Sequence, residues 1–237
     1  MTKLEWDRSS NVEQMVTYLR SLDPSRISSR QIRLWCVQVL HELFKVANFP
    51  ELKPLRAILD KFDHAATFSE YNPTKLLELL DSLEPLRGVH HKLKGRAKWL
   101  WRVMICGLGE PLEPDVVEDI TQAAYYVVGA KPIRNATHLH WNKPGMLIRH
   151  KMAELLREIV GNPFEWIDFN PRWREWNNST IPNLAHKILE SKSFDQMPIL
   201  ADAFEEAGCD DRTILDHCRS SKSHIRGCWV LDLARNA

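Results

Sequence analysis

Cys209, Cys218, His224 and Cys228 crowd into one short stretch, spaced Cys-x8-Cys-x5-His-x3-Cys, with His217 as a spare nitrogen ligand. Zinc takes four thiolate or imidazole ligands in a tetrahedron, and a short helix between two loops could converge these four. The His-x3-Cys spacing is zinc-like, although no Cys-x2-Cys knuckle accompanies it. A structural zinc is therefore the cofactor these residues would take. Helical periodicity offers a plainer account. Cys218 follows Ile214 and Leu215 at core spacing, and Cys209 follows Gly208, where a small buried residue suits a turn.

The same residues could serve catalysis. A cysteine nucleophile needs a nearby base and an electropositive setting, and Cys218 with His224, flanked by Arg219 and Arg226, is the best such pair. Asp216 and Asp232 are the only nearby acids to orient the base, and no nucleophile signature surrounds the cysteine. His217 and Cys218, adjacent in sequence, must point in different directions on a helix.

Three further groups carry chemistry. Arg87, Lys92, Lys94, Arg96, Lys98 and Arg102 form a basic run free of acids between Glu84 and Glu110, with Trp99 and Trp101 interleaved. Such mixtures bind phosphate and stack bases, whereas a solvated loop feeding a core helix would look the same. His138 and His140 would share one side of a strand, with His150 ten residues on, yet no HExxH spacing supports a metal there. Phe164, Trp166, Phe169, Trp173 and Trp176 crowd a single segment. They could anchor a partner, although locking an irregular loop onto a helical core is the commoner use. No P-loop, GxGxxG or GxSxG signature is present.

The elements that must position these groups read as helices. The 237 residues carry 32 Lys and Arg against 31 Asp and Glu, so any pull on nucleic acid must come from a local patch. No apolar run reaches bilayer length, and MTKLEWDRSSNVEQ lacks the features of a signal or transit peptide. Five cysteines, an odd number, with Cys36 and Cys106 in apolar helical patterns, read as buried thiols of a reducing compartment. A cytoplasmic protein without membrane contact is the expectation.

Capping-box spacing at Ser10 with Glu13, and again at Ser28 with Gln31, predicts two early helices, the second a buried one over Ile32 to Val46. Asn72-Pro73 predicts a helix closed by Pro85 and Gly88, followed by helices near Arg96 to Cys106 and from Pro114 to Gly129. Ile133 to Trp141 partly alternates, which suits a short extended segment. Met146 to Val160 is amphipathic, with Gly161 as its cap. An irregular aromatic loop follows. Helices then start at Thr180, at Asp195 and after Asp211, and Cys228 to Leu233 forms a final apolar piece.

From Gly161 onward the motifs keep a recognisable order: GNPF, tryptophans at 173 and 176, FDQMPILADAFEEAGC from Phe194 to Cys209, HCR at His217 to Arg219, and HIRGCW from His224 to Trp229. This ordered set resembles the C-terminal region of a large bacterial family abundant in planctomycetes. The EW near the N-terminus and the RLWC around Trp35 are loosely similar to that family's opening. The resemblance implies homology and a bacterial origin; it brings no activity with it.

The expected fold is all-α, a multi-helix globular bundle with one short extended segment. Residues 1-129 form its N-terminal helical region and residues 142-237 its C-terminal region, packed as one unit. The function expected first is a non-enzymatic interaction or adaptor protein of a bacterial system, with a protein partner. A nucleic-acid-binding protein working through residues 87-102, and a hydrolase using Cys218 and His224, are the alternatives.

Overall fold

The computed structural model describes residues 1–23, 27–46, 53–68, 98, 116–129, 132–134, 139–165, 167 and 169–236. Contacts between Cα atoms divide the chain into two compact units, Met1–Arg157 and Glu158–Ala237. The described part of 130–141, expected to mark a boundary, lies within the first unit.

The first unit holds α1 (Lys3–Arg8), α2 (Val12–Leu22), α3 (Ser29–Val46), α4 (Lys53–Phe68) and α5 (Val116–Val128). A two-strand hairpin follows, β1 (Pro132–Arg134) and β2 (Leu139–Trp141), with Ile133 opposite His140. The helix α6 (Lys143–Val160) begins in this unit. The fold is all-α as expected, and the extended segment is this hairpin. Helix α3 is the buried centre: Leu34, Trp35, Val37, Val39, Leu40 and Leu43 are all essentially inaccessible. Its two-sided apolar surface is covered by α4 and α5. Trp35 donates its indole Nε1–H to the Met152 carbonyl at 2.9 Å, so even its polar edge is closed.

Local signals explain most helix starts. Ser28 and Gln31 form the expected reciprocal cap, with Ser28 N–H donating to Gln31 Oε1 at 2.9 Å and Gln31 N–H to Ser28 Oγ at 3.2 Å. The α2 cap is Asn11, one residue beyond the expected Ser10; its Oδ1 accepts from Gln14 N–H. Thr2 with Glu5 forms a full capping box on α1, a helix the periodicity did not announce.

In the second unit, α7 (Arg172–Ser191) contains a break at Trp176–Ser179. Asn177, Asn178 and Ser179 take positive φ there, and helical geometry resumes at Thr180 as expected. The expected irregular loop is therefore partly helical, and Trp173 is a core residue packed edge-on to Phe204. A single 3-10 turn (Phe194–Gln196) leads into α8 (Met197–Glu206), closed by Gly208 at φ +84°. Then come α9 (Arg212–Arg219) and α10 (Trp229–Asn236), so the final apolar piece is a helix. Helix α10 packs on α7, and α9 packs on α8.

The expected helices between residues 72 and 106, the tryptophans 99, 101 and 166, and Cys106 lie outside the described residues. Among those described, no helix is long and apolar enough to cross a membrane.

A candidate metal centre in the second unit

Four side chains from three segments converge in the second unit. Glu158 lies in the last turn of α6, three residues after the buried Leu155, so helical spacing carries its carboxylate to the apolar side. His217 comes from the last turn of α9. One residue on, Cys218 turns instead to the apolar side with Ile214 and Leu215, as adjacent helix positions must diverge.

His224 and Cys228 belong to the connection between α9 and α10. Arg226 fixes that connection by donating Nε–H to the Leu189 carbonyl at 2.9 Å and Nη2–H to the Glu190 carbonyl at 3.1 Å. These are carbonyls of the last turn of α7, which lack helical partners of their own. Cys228 sits immediately before α10, and its carbonyl accepts the Asp232 N–H at 3.0 Å.

The ligand atoms of Glu158, His217, His224 and Cys228 all lie within 4.8 Å of one another. His224 Nδ1 is 2.8 Å from Glu158 Oε1, and His217 Nε2 is 3.5 Å from the same oxygen and 3.2 Å from Cys228 Sγ. Trp229, the first residue of α10, donates its Nε1–H to His217 Nδ1 at 3.3 Å. His224 Nε2 is buried with no hydrogen-bond partner. The group can hold a metal ion.

Burial would raise the Glu158 carboxyl, but hydrogen bonds from His217 and His224 outweigh it and bring it down to about 2. Burial pushes the Cys228 thiol well above its ordinary value, and the Glu158 charge adds to this. Cys218 is pushed up to about 12, by burial first and then by Glu158 and Cys209. Burial also raises the Cys209 thiol.

Of the four expected metal ligands, the structure brings His224 and Cys228 together. Glu158 and His217 complete the group, and Cys209 and Cys218 stand outside it as buried thiols. Glu158 had a signal that sequence reasoning passed over: a carboxylate on the inward stripe of an amphipathic helix must find a partner.

The nucleophile–base arrangement expected at Cys218 and His224 meets a fully buried cysteine with a protonated thiol. Cys228 and His217 are within reach, yet Glu158 contacts the same imidazole nitrogen as the sulfur while Trp229 holds the other. A triad needs its acid on the far nitrogen.

Lys98 is helical and exposed, while Arg87, Lys92, Lys94, Arg96 and Arg102 lie outside the described residues. His150 is exposed; His138 and the His140 side chain are also outside them. Phe164 is exposed and Trp173 buried.

The first unit has its own ligand-type group, His41, Asp60 and Asp63. Asp60 there is exposed, and Asp63 Oδ1 already accepts Gln38 Nε2–H at 2.9 Å. A cavity of about 400 Å³ in the same unit is lined by Val46, Val128, Pro144, Leu147 and Ile148, among others. No protein-family model matches the chain, and comparison with curated proteins and with solved structures gave no match.

Proposed function

We propose that this is a non-enzymatic interaction protein of a bacterial system, whose C-terminal unit is built around a structural zinc ion. Glu158, His217, His224 and Cys228 are its ligands. The observation that carries the zinc assignment is the approach of all four ligand atoms to within 4.8 Å of one another. Carboxylate, thiolate and two neutral imidazoles carry two negative charges, which neutralise a dication in a buried place. Glu158, His224 and Cys228 are buried, so four protein ligands would close the shell and leave no position for a substrate.

The interaction role draws support from exposed apolar side chains around the first unit's cavity. Val46 is 69% and Leu147 62% exposed, and both line it. Buried, protonated thiols speak against the hydrolase alternative. Membership of the bacterial family that the C-terminal motifs resemble is part of the same proposal.

Metal analysis of the tag-free chain tests the centre. One zinc per chain is expected, lost in Cys228→Ser and kept in Cys218→Ser. A folded wild-type chain that binds no zinc overturns the assignment.

A further inference from the structure

We infer that a metal ion in this centre and the Trp229–His217 hydrogen bond exclude one another, so that metal entry releases the indole at the start of α10. The inference rests on the zinc assignment above.

An indole N–H only donates. With Trp229 Nε1–H directed at His217 Nδ1 at 3.3 Å, that nitrogen must offer its lone pair. In the neutral ring the proton then sits on Nε2. There it faces two acceptors, Cys228 Sγ at 3.2 Å and Glu158 Oε1 at 3.5 Å. The arrangement is thus closed around His217, with a donor at one nitrogen and acceptors at the other.

A metal ion reverses both ends. Nε2 is the nitrogen that faces Glu158 and Cys228, so the ion takes its lone pair and displaces its proton. The neutral ligand then carries a proton on Nδ1. The imidazole gives one proton to water and takes one from water, with no net change. Cys228 loses its thiol proton to solvent as the thiolate binds. Nδ1–H now points at the indole N–H, and two donors cannot share a hydrogen bond. The indole must leave its acceptor.

The place it leaves is specific. Gly161, at φ +76°, lies against the indole, and a Cβ there would come within 3.2 Å of Trp229 Cγ and 3.3 Å of Cδ2. The ring also meets His217, with centroids 5.0 Å apart. Trp229 therefore occupies a slot open only beside a glycine. Its own partial exposure gives it a way out. Cys228 and Trp229 are consecutive, so the ligand and the competing donor both bear on the first turn of α10.

The experiment is zinc chloride titration of the full chain, followed through the indole N–H resonances, with Trp229 assigned by Trp229→Phe. On zinc binding, solvent exchange of the Trp229 N–H should accelerate about tenfold or more as its acceptor is lost. Trp229→Phe keeps a ring but no donor, and should bind zinc roughly fivefold more tightly in chelator competition, the value of one ordinary hydrogen bond. If zinc binds while the Trp229 N–H keeps its protection, the inference is overturned and the zinc assignment stands. If zinc does not bind, both fall.

Discussion

The two units bury polar groups in opposite ways. In the first, most such groups with visible partners end on backbone carbonyls: Trp35 on Met152, Thr67 on Asp63 and Thr121 on Val117. The surrounding core is aliphatic and aromatic. In the second, Arg226 follows that pattern, while Glu158, His217, His224 and Cys228 face one another. Backbone satisfaction lets apolar packing set the stability. Side chains that satisfy only each other tie stability to their charge state and to whatever binds between them. The first unit is therefore a packing problem and the second a problem of mutually dependent polar side chains.

The largest expected effect is in the first unit. Trp35→Ala removes a fully buried ring and leaves the Met152 carbonyl without its donor, and should cost about 4 kcal/mol in denaturant unfolding. If the loss is under about 1 kcal/mol, α3 is not the packing centre described here.

Glu158→Gln should cost about 2 kcal/mol in chelator-treated protein, because a neutral amide replaces a charged acceptor. The pH dependence gives its signature. Glu158 is held near 2 against an ordinary 4.5, so its stabilisation is full above 4.5 and fades as pH falls from there through about 2. Acid unfolding of metal-free wild-type chain should show this slope, and Glu158→Gln should flatten it. With zinc present the same substitution should cost more than without, which separates ligation from simple hydrogen bonding. Equal losses in both conditions would make the network purely structural.

The smallest effect is expected at the surface. Arg219 bridges Asp202 at 2.7 Å and Glu205 at 2.6 Å, yet all three are exposed. Arg219→Ala should leave the unfolding midpoint nearly unchanged, and any small shift should vanish in high salt. A large loss would mean that charge pairing, and not only the buried cluster, organises this unit.

Much of the fold was legible because its signals are local. The Ser28–Gln31 box, the two-sided apolar pattern of α3 and the stop at Gly161 each lie within one or two helical turns. At α2 the cap lies one residue past the expected Ser10–Glu13 pair. Asn11 took the cap in an extended backbone geometry that its side chain favours.

The candidate site was half legible. His224 and Cys228 lie close in sequence and stayed together in space. Spacing also proposed Cys209 and Cys218, whose thiols are buried outside the group.

By itself, then, the sequence determined most of the described helices, the Ser28–Gln31 cap and the apolar stripes, because these follow from residue type and the 3.6-residue period. Only the tertiary structure decided which side chains meet at the candidate site. Glu158 lies 66 positions before His224, and no periodicity relates an acid on one helix to an imidazole on a distant loop. Their meeting depends on the end of α6, the last turn of α9 and the Arg226 anchor on α7 arriving together. That convergence is made by packing.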